Sequence, residues 1–144
     1  MKERIQPGSI ARPVGPYCHA IKVAPKQLVF VAGQIPIDKD GNIVGVDYND
    51  RIRNLQTIDL AAQVRQTMVN LKDALEAAGA SLKDLIRLDT YVVASAMNEY
   101  KTIGMKAKHD VLAGVQVPGA TVFVAGLMPP DALVEISGIA AMDE

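Results

Sequence analysis

The sequence predicts an α+β fold, a mixed sheet with both helices packed on one face. Three observations carry this. Short β-branched and aromatic runs at 28–35, 86–94, 119–127 and 133–140 are interleaved with helical patterns. Apolar residues over 59–78 repeat with the helical period. A second helical pattern at 97–112 gives the order β-β-α-β-α-β-β, with no internal repeat and no linker. The 144 residues fit a single domain, 1–144, with a sizeable core.

In chain order, Pro7, Gly8, Pro13, Gly15 and Pro16 mark residues 1–16 as a lead-in without regular structure. Residues 17–24 read as a first strand and 28–35 as a second. With Pro25-Lys26-Gln27 as the turn, they make a predicted hairpin. Residues 38–42 form a turn. Residues 47–56, with Arg51 and Arg53, read as an exposed polar loop. The first helix shows its stripe at Leu60, Val64, Met68, Leu71, Leu75 and Ala78. Thr57 or Asp59 is placed to cap it, and Gly79 to stop it. A third strand covers 86–94. The second helix carries the row Tyr100, Gly104, Ala107 and Val111, whose small residues let it lie close to a sheet, and Gly114 ends it. Two apolar strands, 119–127 and 133–140, close the chain around the turn 128–132.

Composition excludes several function classes. With 49% apolar and 22% charged residues the chain is globular rather than disordered. A net charge of -1 and two phenylalanines offer neither a basic groove nor a stacking platform for nucleic acid. Cys18 is the single cysteine, so no internal disulfide forms. No apolar run is long enough to cross a bilayer, and the N-terminal residues lack a signal peptide's apolar run. The expectation is a soluble cytoplasmic protein that meets a small molecule rather than nucleic acid or membrane. His19 and His109 lie far apart, and no Cys/His/carboxylate cluster has metal-ligand spacing. There is no Gly-rich phosphate loop and no nucleophile elbow. Neither metal nor cofactor is expected.

Face by face, Val134, Ile136, Gly138 and Ala140 point one way, and Leu133, Glu135, Ser137 and Ile139 the other. Strands 28–35 and 119–127 carry apolar residues on both faces. Two helices cover only one, so the second face needs a cover. A homo-oligomer supplies it, or a third layer made from 1–16 and 43–58. Glu135 is a charge inside an apolar strand and needs a partner or a job. Asp89 has Arg87 on its own face, a structural pair. Cys18 reads as a small buried residue that cannot form a dyad with its neighbour His19, since the two point to opposite faces. His19 shares a face with Tyr17. His109 and the lysines 101, 106 and 108 read as solvent-facing.

Gly15-Pro16-Tyr17, Ala32-Gly33-Gln34-Ile35-Pro36, the segment 66–72, Glu76-Ala77-Ala78-Gly79-Ala80 and the ending 134–140 occur in order over nearly the whole chain. Together they resemble the reactive intermediate deaminase (Rid, YjgF-like) family. The resemblance implies a chorismate-mutase-like fold and a homotrimer whose sheets form an inner barrel, with clefts between subunits. It implies cofactor-independent hydrolysis of enamines and imines to ketones and ammonia. Carried over by position, Tyr17 matches the pocket tyrosine, Gly33 the glycine whose backbone contacts the ligand, and Glu135 the acid that holds the attacking water. The family's carboxylate-binding arginine is absent. Pro118-Gly119-Ala120-Thr121 places Ala120 there, Val122 stands at the family's cysteine, and Gly104 at the asparagine of the second helix.

From these departures we expect backbone groups near Gly33 and Thr121–Val122 to orient water or substrate. Ala120 and Gly104 should widen the pocket, and His19 is a further lining residue. Arg12, Arg51 and Arg53 are the cations placed to substitute for the arginine. Without its fork a simple 2-imino acid is a poor substrate. The expected function is hydrolysis of another enamine, imine or related C–N intermediate. The alternative is a trimer that has lost the chemistry and only binds ligands or acts like a chaperone.

Overall fold

The computed structural model describes residues 1–49 and 57–144. Its elements are β1 (Lys2–Ile5), β2 (Ala20–Val23), β3 (Gln27–Gln34), α1 (Leu60–Ala77), β4 (Leu85–Val93), α2 (residues 97–112), β5 (Thr121–Val124) and β6 (Val134–Met142). The main sheet has the order β3-β6-β4-β5. β6 runs antiparallel to both β3 and β4, and β5 runs parallel to β4. The α+β architecture, with two helices on a mixed sheet, is the one the sequence predicts.

α1 forms where its stripe demands. Leu60, Val64, Met68, Leu71 and Leu75 are all 1% exposed or less. Burying five such side chains contributes on the order of 10 kcal/mol before chain entropy is counted. Asp59 is the cap, its side chain accepting the Ala62 N–H at 2.9 Å. Gly79 leaves the helix at φ 80°, a conformation few other residues adopt. The helix packs on the buried face of β6, where Val134, Ile136 and Ala140 are fully buried. Within it Gln63, 0% exposed, acts as a clasp. Its Nε2 donates to the Val44 and Asp131 carbonyls at 3.1 and 2.8 Å. Its Oε1 accepts the Leu133 N–H at 2.9 Å, fixing the chain just before β6.

α2 is not uniform. Met97–Glu99 is α-helical, Tyr100–Gly104 is a π-helical turn, and Met105–Leu112 is α-helical again. Tyr100 is 1% exposed and lies over Gly104, where an added Cβ would sit 2.4 Å from the Tyr100 Cδ2. Gly104 therefore admits the tyrosine ring, and the space is filled. The expectation that Gly104 widens a pocket is wrong.

Three further expectations are corrected. Residues 17–24 and 28–35 do not form a hairpin: β2 pairs with β1, and β3 pairs with β6. The lead-in is not wholly irregular, since Lys2–Ile5 makes a strand by backbone pairing alone. The two C-terminal strands are not neighbours, because β4 lies between them. β5 is also shorter than 119–127. At its entry an added Cβ on Gly119 would meet the Leu88 carbonyl oxygen at 1.7 Å, so only glycine passes there.

The helix-free face stays open. Phe30 is 71%, Leu28 48% and Val122 41% exposed. The described parts of 1–16 and 43–58 do not cover it. β1 pairs with β2, Arg4 donates to the Gln116 carbonyl, and Val46 bridges to Ile58. The proposed loop over 47–56, with Arg51 and Arg53, falls mostly outside the described residues.

Candidate functional site

The helix-free face carries a row across four strands. Glu135 on β6 is paired with Tyr91 on β4, and Tyr91 with Val122 on β5. On the other side of Glu135 lies Gly33 of β3. A Cβ built on Gly33 would stand 2.9 Å from the Glu135 Cδ and 3.0 Å from its Oε2. The glutamate therefore lies across a gap that only glycine leaves. The β3–β6 register slips between Val31 and Gln34, at this same place. Such irregularities re-aim side chains. Glu135 is half-buried, and among the described residues no hydrogen bond or ion pair is formed by its carboxylate. The paired, structural reading of Glu135 gains no support.

Next to Ala120 lies the Arg87–Asp89 pair expected from the sequence. Arg87 Nε donates to the two Asp89 oxygens at 3.1 and 3.0 Å, and its Nη2 lies 2.9 Å from Oδ1. Asp89 Oδ1 also accepts the Ala120 N–H at 2.9 Å. Partial burial pushes the Asp89 carboxyl up, but the Arg87 guanidinium and the Ala120 N–H outweigh it and hold it below the ordinary value. The pair thus fixes the backbone of Ala120.

Tyr17, Ala120 and Thr121 line one cavity of about 340 Å³, on the β5 edge of the sheet. Gly15, Gly119, Leu88 and the α2 residues Met105, Lys108 and His109 complete much of its wall. His19 and Arg12 fall in a second cavity, of about 620 Å³, which Tyr17 also lines. His19 Nε2 lies 2.8 Å from the Ala11 carbonyl, and its ring meets Tyr17 edge-on at 6.1 Å. Arg12 thus stands apart from Ala120, in the cavity with His19. Cys18 is 1% exposed, and burial pushes its thiol up, as befits a core residue.

The structure therefore brings together Tyr17, Ala120 and Thr121 in one cavity, and Gly33 and Glu135 in one contact. It does not bring the two sets together within one protomer. Glu135 sits towards β3, while the Tyr17 cavity lies beyond β4 at the β5 edge. Val122 shares the face and the row of Glu135 rather than the cavity.

Two residues were missed by sequence reasoning, Lys108 and His109. Both are half-buried and both line the cavity, so the expectation that they face solvent is corrected. Burial and the Lys108 charge, opposed by Asp110, hold His109 below its ordinary 6.5. A signal for Lys108 was present. Lys106 and Asp110 make an i,i+4 pair at 2.8 Å on the solvent side. A residue two positions from Lys106 must then turn inward.

Among the described residues, no group of three or more His, Cys, Asp or Glu is arranged to hold a metal, and no helix is long and apolar enough to cross a membrane. On an α+β sheet, Glu135 thus stands on the helix-free face with the paired Asp89, and a lined cavity lies at the β5 edge. The family model described as endoribonuclease L-PSP matches residues 9–142. A RutC family protein of Pyrococcus horikoshii is 37% identical over 141 residues, covering 97% of this chain and 98% of that protein. The 3-aminoacrylate deaminase RutC of Acinetobacter baylyi is 32% identical over 143 residues, covering 96% of this chain and 97% of that protein. A solved Rid-family structure from Yersinia pestis superposes with a TM-score of 0.77 at 30% identity, covering 98% of each chain. The chain belongs to the Rid (YjgF-like) family.

Proposed function

We propose that the chain is a cofactor-independent hydrolase of an enamine, imine or related reactive C–N intermediate, with Glu135 activating water in a cleft between subunits of a homotrimer. The observation that carries this is the Glu135 carboxylate, without a hydrogen-bond or ion-pair partner among the described residues, lying against Gly33 on the exposed helix-free face. A full-length relative that acts as a 3-aminoacrylate deaminase supports the reaction class. Support for the oligomer comes from that open face, with Phe30 at 71% exposure, and from the separation of Glu135 from Tyr17. A second copy of the chain is the simplest way to cover the one and join the other.

In this reading an enamine is first protonated at carbon, by a proton drawn from solvent, to give the iminium ion. Glu135 then takes a proton from water as its oxygen adds to the C=N carbon. That proton passes from Glu135 to nitrogen, the C–N bond breaks as the hydroxyl gives its own proton back to Glu135 and becomes C=O, and ammonia leaves. The Gly33 backbone and the Thr121–Val122 backbone orient the reactants, and Tyr17 closes the cavity side. Ala120 supplies no guanidinium, so a simple 2-imino acid loses its bidentate grip. The same feature favours the second reading, a trimer that binds without turning over.

The test is release of ammonia from 3-aminoacrylate and from 2-iminobutanoate generated in situ. Glu135→Gln should lower turnover at least about 100-fold, the usual worth of a positioned acid–base group. Turnover unchanged in Glu135→Gln refutes the water-activating role. Strong activity on 2-iminobutanoate refutes the argument from Ala120. Binding of ketone products without turnover of any imine supports the second reading.

A further inference from the structure

The cavity at the β5 edge has a sign. Its titratable lining residues are Tyr17, Lys108 and His109, and neither Asp nor Glu is among the lining residues. Nearby acids are engaged elsewhere: Asp110 pairs with Lys106 at 2.8 Å, and Asp89 with Arg87 at 2.9 Å. Lys108 has no carboxylate within ion-pair distance among the described residues.

The ammonium of Lys108 is nonetheless held in place. Its Nζ donates to the hydroxyl of Thr90 at 3.3 Å, and Thr90 is 1% exposed. It lies 5.8 Å from the centroid of the Tyr100 ring, within reach of a cation–π contact. An ammonium has three donors, and only one is used here. The position is also tied to Ala120. The Thr90 N–H donates to the Ala120 carbonyl at 2.8 Å, so the cation stands one residue from the alanine. A half-buried cation with spare donors, in a cavity whose lining includes no Asp or Glu, is suited to an anionic partner.

We infer that Lys108 is a substrate-binding residue, and that the cavity between Tyr17, Ala120 and α2 receives the anionic group, a carboxylate or its like, of the substrate. The inference rests on the reading of the Tyr17 cavity as part of the substrate cleft. Lys108 approaches from the helix side of the sheet, as its bond to Thr90 shows, whereas Glu135 lies on the other face. The anion must therefore reach around the β5 edge. A substrate that carries its charge at a distance from the C–N bond fits this better than one that carries it on the adjacent carbon. An ammonium is a point charge without the planar fork of arginine, so it tolerates more than one anion geometry.

The experiment is direct binding by the full-length protein, followed by calorimetry or ligand-observed NMR. The probes are the carboxylates glutarate and 2-oxobutanoate, with neutral butan-2-one as control. Wild type should bind at least one carboxylate saturably, and more weakly as salt rises. Lys108→Met, which keeps the apolar stem, should weaken that binding about 10-fold or more, the worth of about 1.4 kcal/mol. Lys108→Arg should restore most of it, and butan-2-one should respond to neither variant. Glu135→Gln should still bind the carboxylate. Failure of both carboxylates to bind, or equal binding by Lys108→Met with its fold intact by circular dichroism, overturns the proposal. Either outcome leaves the hydrolase reading to its own test, loss of turnover in Glu135→Gln.

Discussion

Gln63 is the residue whose replacement should tell most about how the site is held. It is a polar residue with 0% exposure on a core helix, and it bonds three backbone groups from two separate loops. Gln63→Met keeps the side-chain volume and removes the amide. The Val44 carbonyl loses its Gln63 donor and the Leu133 N–H loses its acceptor. A buried polar group left without a partner costs about 1–3 kcal/mol. Two such groups cost about 2–6 kcal/mol, and sparing the amide its own desolvation returns about 1–2 kcal/mol. The net expectation is a loss of about 1–4 kcal/mol. It should be read from urea unfolding at one fixed protein concentration, because an oligomer's stability moves with concentration. Gln63→Glu makes the argument sharper. It keeps the acceptor for Leu133 but sets carboxylate oxygen against the Val44 and Asp131 carbonyls, so it should be worse than methionine. Methionine within about 0.5 kcal/mol of wild type, or glutamate the milder of the two, would refute the reasoning.

Two further outcomes follow from the same geometry. Gly33→Ala should push the Glu135 carboxylate aside, since the new Cβ would fall 2.9 Å from Cδ; because a flexible side chain can yield, thermal stability should barely change while imine turnover falls at least about 10-fold. Full turnover in that variant would show that the position of Glu135 over Gly33 does not matter. Asp89 is held below its ordinary 3.8, so its contribution to stability is present above that pH and is lost as pH falls through the lower folded value. The gap between wild type and Asp89→Asn in urea midpoint should hold from pH 7 to about 4 and shrink below, and it should stay within about 1 kcal/mol because the pair is partly solvated. A gap that widens on acidification contradicts the assignment.

What could be read in advance was set by how local its cause is. α1 was legible because its apolar stripe from Leu60 to Leu75 faces the core, though Ala78 at its end is exposed, and β6 because it is central, with one covered face and one open. β1 was not, because Lys-Glu-Arg-Ile carries no apolar alternation and pairs through its backbone. The partner of β2 lies fifteen or more residues away across Pro- and Gly-rich chain, which no local pattern encodes. The place of β5 beside β4 was in principle readable, since parallel neighbours need a crossover and α2 supplies one. In the candidate site, Tyr17, Gly33 and Glu135 were picked out from family resemblance, but their division between a sheet face and a sheet edge depends on strand order. Lys108 was hidden because a lysine close to the exposed Lys106 and Asp110 reads as surface, although its place beside the inward row Gly104, Ala107 and Val111 and the Lys106–Asp110 pair gave its direction away.

The π-helical turn at Tyr100–Gly104 has a consequence for how this cavity keeps its charge. Such a turn holds about one residue more than an α-turn yet still closes a full turn, so the residues beyond it keep the facing they would have after a regular turn. A single residue lost within 100–104 is therefore absorbed locally, and Lys108 stays on the cavity wall. The same loss beyond the turn, between 105 and 107, has no such slack and rotates the lysine by about 100° off the wall. The cavity's sign thus depends on where along the helix its length varies.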